Sequence, residues 1–440
     1  MCPHRGARLA EVYSVDYSLN MKRFTSIIFA LAAVSAAIFA ADPTATRYSA
    51  EECQGSLRPY MVPKTSYDYP DTLTPVHINH VGRHGSRYPA GAAHCRLMAN
   101  LLRQADSLGT ITAKGKSLRR LVDYAIAKTA GNWGALDSLG MAEHRGIASR
   151  MYLNFPMLFK DGKVEASSSY SPRSMMSMYS FVHQLARMDN HVEITASSGR
   201  SFSATMRPFD VNEDYINFRK EGAMMPAYEE YLATKITDAP LRRVLGDAFP
   251  IDDSVKADYA LAEYYVLAGM TAMEVSCNLT DYFTIDELNA LWSCFNLRQY
   301  LQWSMTTVST IPADIAAPLI LDIIAAADKV VEGKTSTTVN LRFGHAETVM
   351  PLTALLRLKG CYYLTNYFDT VAQHWRDFEA YPMAANVQFI LFKSRRGGYY
   401  LRVDLNEVPV PLMPSQNRLY TPWREARDYM MRCIPIYYQP

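Results

Sequence analysis

The sequence predicts an α/β protein with a mainly parallel central sheet flanked by helices and carrying an inserted, mostly α-helical domain. Three observations lead there. A strand, loop and helix pattern recurs three times, and each strand ends on a cationic or imidazole side chain. A long stretch of helical periodicity separates the second unit from the third. At 440 residues, 49% hydrophobic and 20% charged, the chain can bury a sizeable core and exceeds one simple domain.

In chain order, Met21, Lys22 and Arg23 precede the apolar run FTSIIFALAAVSAAIFAA, which ends in small residues before Asp42 and Pro43. A basic segment, a short apolar segment and small residues in that order read as a secretory signal peptide. Residues 1–41 are therefore expected to be leader and signal peptide, with Met21 the working start and the mature chain beginning near Ala41 or Asp42. The competing reading is a membrane anchor, but the run is shorter than about 20 residues and no stop-transfer pattern follows. The expectation is export to a periplasm, cell surface or surrounding fluid, with no stable membrane insertion after cleavage. Cys2 goes with the leader, leaving Cys53, Cys95, Cys277, Cys294, Cys361 and Cys433. An even number in an exported chain permits three bridges, although sequence alone does not choose the pairing.

The first unit is PVHINHVGRHGSRYPAG, residues 75–91. Val76, Ile78 and Val81 lead into Gly82, Arg83, His84, Gly85, Ser86 and Arg87, the pattern of a strand that ends in a tight glycine loop. A helix follows, with Leu97, Leu101, Ala105 and Leu108 at helical spacing and a stop at Gly109. In the second unit a strand at 163–168 passes through Ser171 and Pro172 to Arg173 and a helix. The third has a strand ending near Phe343, Gly344 and His345, then a helix to Leu358. Between them, 254–270, 285–302 and 312–331 are helical in pattern, and Thr284 with Glu287 makes a capping box. The expected domains are thus 42–205 plus 335–440 for the α/β part and 206–334 for the helical insertion. The runs around Arg395, Arg396, Gly397 and Gly398 read as a hairpin at a sheet edge.

A formal charge of +2 and a pI near 8.0 are too mild for a nucleic-acid binder, so any anion preference is local. Guanidiniums present rigid forks that match phosphate or carboxylate oxygens. Ligands of open α/β sheets bind outside the carboxyl ends of the strands, so the three units can converge on one cleft. Arg83, Arg87 and Arg173 suit neutralisation of a phosphomonoester, and His84, neutral yet reactive near neutral pH, suits nucleophilic attack. Glu347, beside His345, suits protonation of the leaving alcohol, with His345 a further donor to the phosphoryl oxygens. No cofactor is called for. His77, His80 and His84 raise a metal-dependent phosphoesterase as a rival, but strand alternation sends His77 and His80 to opposite faces and no Asp lies between 72 and 105. A non-catalytic phosphate or sugar-phosphate binder would need the arginines without a proton donor.

These residues resemble the histidine acid phosphatases, whose RHGxRxP, later Arg and downstream His match RHGSRYP, Arg173 and His345. Ala346 stands where most of that family has Asp, and the acid follows as Glu347. The HAE form, FGHAETVMPL, MRPFD at 206–210 and the Cys277 and Cys294 pair flanking a helix are similar to the multiple inositol polyphosphate phosphatase branch. The resemblance implies a phytase-like enzyme acting on a small molecule, an inositol polyphosphate, with broad acid phosphatase action on sugar phosphates or bisphosphoglycerate as the alternative. It also implies a Cys277–Cys294 bridge. Phosphates not being hydrolysed need neutralising too, which makes Arg58, Lys64, Arg207 and Arg395 or Arg396 candidates for an outer basic ring.

Overall fold

The computed structural model describes residues 47–65 and 67–439, so the expected leader and cleavage site lie outside the described residues. The strands are β1 (Leu73–Arg83), β2 (Lys163–Ser168), β3 (Glu193–Ser198), β4 (Thr337–Gly344), β5 (Asn386–Ser394), β6 (Tyr399–Leu405), β7 (Val408–Val410) and β8 (Thr421–Pro422). They form one mixed sheet in the order β3-β2-β4-β1-β5-β6-β7, with β8 beside β6. The first four are mutually parallel, and β5 and those beyond it run antiparallel.

β1 is buried on both sides, as a parallel strand covered by helices should be. Ile78 joins a core with Phe155, Phe181 and Phe343 on one face. Val81 joins the larger core on the other, with Ile320, Ile323 and Val349. The pleat accounts for this split, since residues three apart point to opposite faces. The same rule parts the two upstream histidines. His80 packs against Phe181 and Phe343, whereas His77 meets the Thr337 carbonyl. Helices Ser138–Asn154 and Pro172–Met188 cover the first face together.

From Ser203–Met206 to Ala317–Val331 the described chain is helical and contributes no strand. Its core is continuous with that of helices Ala93–Ser107 and Ala113–Thr129. The Thr284 capping box forms in both directions, with Glu287 N–H donating to Thr284 Oγ1 at 3.2 Å and Thr284 N–H to the Glu287 carboxylate at 2.7 Å. Residues 312–331 are two helices, Ile311–Asp314 and Ala317–Val331. Pro318 lacks an N–H and crowds the carbonyl four residues earlier, so the helix restarts there. The helix after β4 ends at Leu355, because Arg357 takes a left-handed φ of 55°.

Two expectations need correction. The β5–β6 hairpin exists, but β5 lies inside the sheet beside β1, and β7 and β8 lie outside β6. The Cys277–Cys294 bridge does not form, and both residues are free thiols. Cys294 is buried within helix Ile285–Trp303 near Tyr228 and Tyr231, whereas Cys277 sits in the preceding loop near Asp281 and Tyr282. A bridge needs the two Cβ vectors to face each other at short range, and separate neighbourhoods do not supply that.

Candidate active site

Three parallel strands finish level with one another. Arg83 stands opposite Gly344, and Ser168 opposite Phe343, so the loops carrying Arg83 to Arg87, Ser169 to Arg173 and His345 to Glu347 leave the sheet side by side. Glycine lets them approach. A Cβ on Gly85 would come 2.5 Å from the Gly140 carbonyl oxygen, and one on Gly140 would come 2.1 Å from the Ser86 carbonyl oxygen. The start of helix Ser138–Asn154 therefore lies directly on the loop. Asp137 caps that helix through Gly140 N–H at 3.1 Å, and Glu143 accepts from both the N–H and the hydroxyl of Ser86 at 2.7 Å.

His84 is buried, and its Nδ1 lies 2.9 Å from the Gly85 carbonyl oxygen. A carbonyl only accepts, so the proton sits on Nδ1 and Nε2 keeps its lone pair. Burial, with Arg173, Arg83, Arg87 and His345 nearby, holds this imidazole well below the usual histidine range, in its neutral form. Its ring meets that of His345 edge-on at 5.6 Å.

The guanidiniums are held in different ways. Arg83 Nη1 donates to the carbonyls of Ser56 and Tyr381, each at 2.7 Å, and burial lowers the Arg83 pKa to about 10. Arg173 occupies the first turn after Pro172, its Nη2 lies 3.3 Å from His345 Nδ1, and burial lowers its pKa to about 10. Arg207 Nη1 lies 2.8 Å from His345 Nε2, while its Nε donates to Asp210 at 2.6 Å. Ser169 Oγ stands 3.1 Å from the same His345 nitrogen. His345 is pushed well below its ordinary pKa by burial and four arginines. Thr348 fixes its backbone, accepting from His345 N–H at 3.0 Å and donating to the Met206 carbonyl at 2.6 Å. The Nε atoms of Arg83, Arg87 and Arg173 are buried donors without a partner, so the cluster retains hydrogen-bonding capacity for an oxyanion.

Glu347 and Arg87 line a cavity of about 380 Å³ beside this cluster, and Glu347 interacts electrostatically with Arg83, Arg173 and Arg207. The opposite wall comes from the helical stretch, through Tyr265, Arg298, Gln302 and Trp303, with His94 nearby. His94 and Arg298 escaped the sequence reading because each lies on a helix whose orientation no local pattern reveals. Other members of the expected outer ring lie elsewhere. Arg58 pairs with Glu51 at 2.6 Å and, with Lys64, lines a different groove. Arg395 and Arg396 follow Ser394, which pairs with Leu73 at the start of β1. That places them roughly 33 Å from Arg83 by strand rise.

The sequence signature of the histidine phosphatase superfamily (branch 2) matches residues 76–406. Human multiple inositol polyphosphate phosphatase 1 is 27% identical over 376 residues, covering 78% of this chain and 77% of that protein. The fold is similar to Bifidobacterium longum multiple inositol polyphosphate phosphatase, solved in complex with inositol hexasulfate. That match has a TM-score of 0.74 and 19% identity, covering 85% of this chain and 96% of that one. The D. castellii phytase gives 0.71 at 17% identity, covering 90% and 88%. Because the family signature spans residues 76–406, three-quarters of the chain and all three strand ends that carry the cationic cluster, this chain belongs to the histidine phosphatase superfamily, branch 2.

Proposed function

We propose that this protein is an exported phosphomonoesterase that hydrolyses inositol polyphosphates such as phytate through a covalent phosphohistidine. The observation that carries the reading is His84, a buried neutral imidazole with its Nε2 lone pair unspent, among Arg83, Arg87, Arg173 and His345. The arginines draw charge from the phosphate, which lets a neutral nucleophile approach and stabilises the equatorial oxygens in the transition state. His84 Nε2 bonds to phosphorus as the ester P–O bond breaks. Glu347 acts as the general acid, giving a proton to the leaving alkoxide. A water then attacks the phosphohistidine, Glu347 takes the water's proton, and inorganic phosphate leaves with His84 restored. His345 donates to a phosphoryl oxygen in both steps.

Support for the substrate class comes from the named activities of the human and Bifidobacterium relatives and from a cavity wall bearing Arg87, Arg298 and His94. The test is phosphate release from phytate with product isomers resolved, with and without EDTA, for wild type and His84→Ala. The proposal expects turnover that survives the chelator and vanishes in the variant, with label recovered on His84 after alkaline trapping, since phosphohistidine is acid-labile. Turnover lost to EDTA overturns it in favour of metal chemistry. Faster release from sugar phosphates than from phytate overturns the substrate assignment. Export is tested by the amino terminus of protein recovered outside the cytoplasm, expected near Ala41 or Asp42.

A further inference from the structure

A groove of about 1020 Å³ lies across a thin wall from the active cavity. Leu57 and Met383 face the cavity, while their neighbours Arg58 and Pro382 line the groove. The wall is two chain segments joined by Met383 N–H donating to the Arg58 carbonyl at 2.8 Å. The same segments supply the Ser56 and Tyr381 carbonyls that seat the Arg83 guanidinium.

The groove's chemistry is mixed. Tyr362, Phe378 and Val408 form apolar wall, and Met61 and Val62 are exposed at 47% and 56%. Its carboxylates are engaged locally, Glu379 by Arg376 and Glu52 by Ser49. Lys64 and Lys359 form no ion pair among the described residues, whereas Arg58 pairs Nη2 with Glu51 at 2.6 Å and keeps a buried Nε without a partner. Two lysines without an ion pair beside exposed apolar surface are complementary to an anion on an apolar body.

We infer that this groove is a second ligand site, taking a small amphiphilic anion such as an aryl or alkyl carboxylate or sulfonate, whose occupancy is transmitted through the wall to Arg83. Binding stands on the groove alone, and the transmission rests on the role proposed above for Arg83. The probe is 8-anilinonaphthalene-1-sulfonate, titrated by fluorescence into the full chain with inositol hexasulfate saturating the active cavity. One saturable site should persist. Lys359→Glu and Met61→Asp, both at exposed positions, should each weaken it by about tenfold, the first through a lost charge-assisted contact and the second through lost apolar contact and an added like charge. Both variants should keep wild-type turnover of p-nitrophenyl phosphate without the probe. At a concentration near its wild-type Kd the probe should alter that turnover in wild type and alter it far less in both variants. Displacement of the probe by inositol hexasulfate, or equal affinity in wild type and variants, overturns the site. Saturable binding with unchanged wild-type turnover overturns the transmission, and wild-type hydrolysis measured without the probe tests the function separately.

Discussion

At the scale of single residues, the cluster solves a charge problem. A histidine among three arginines is held neutral, as the nucleophile proposed above for a phosphate dianion must be. Its neutrality has a direct consequence. In free enzyme labelled at histidine, the His84 ring signals should stay those of the neutral Nδ1–H form from pH 8 down through 6.5, where an ordinary histidine is half protonated. A titration centred at 6.5 would show that the arginines do not act on it. In the proposed mechanism Glu347 is the proton donor, so its removal should be selective. Glu347→Gln should slow release of inositol alcohols by 10²-fold or more, roughly the value of a positioned acid, and p-nitrophenol release far less, because that leaving group scarcely needs a proton. Equal losses on both substrates would remove the acid role.

At the scale of elements, the loop holding His84 is shaped by the helix laid on it. The Gly85 and Gly140 contact leaves no room for a methyl group on either side. Gly140→Ala should force the start of helix Ser138–Asn154 off the Ser86 carbonyl, at about 1–3 kcal/mol by the usual cost of overpacking. Urea unfolding and kcat on p-nitrophenyl phosphate should both fall. Unchanged kcat would separate the helix from the placement of His84. The elements themselves were legible because their signals are local: the apolar run of β1, the strand at 163–168, and the capping box at Thr284. Where the reading slipped, a longer-range constraint decided. Pro318 divides one periodic stretch into two helices, and β5 pairs with a strand some 300 residues earlier in the chain, which no hairpin signal contains.

At the scale of the whole molecule, the interior holds opposing titrations. His77 is lowered to about 4 and His80 and His144 to about 3, chiefly by burial, and His84 and His345 are held neutral as well. As pH falls below 6.5 the unfolded chain takes up protons on these imidazoles that the fold refuses, so stability falls with acid, by up to about 1.4 kcal/mol per pH unit for each. Buried carboxyls act in the opposite sense. Glu263 is raised to about 8 and Asp377 and Asp404 to about 6, so the fold keeps protons that the unfolded chain releases, and stability gains as pH falls through those values. His144→Gln should therefore reduce the slope of unfolding free energy against pH between about 6 and 4 by close to one proton's worth. Urea melts at several pH values measure it, and an unaltered slope would show that His144 protonates within the fold.

The sequence by itself determined the chemistry available: which side chains terminate the strands, which loops carry glycine, and which family pattern spans the chain. Those features are written in consecutive residues, and local sterics and periodicity express them wherever the segment sits. Tertiary structure alone decided which of the many cations share a cavity. Arg207 comes to His345 and Arg298 to the cavity wall, whereas Arg58 and Lys64 turn to another groove and Arg395 lies at the far end of the sheet. The physical reason is that a surface-capable arginine is equally soluble on any face, so only strand order, register and helix packing select the face it occupies.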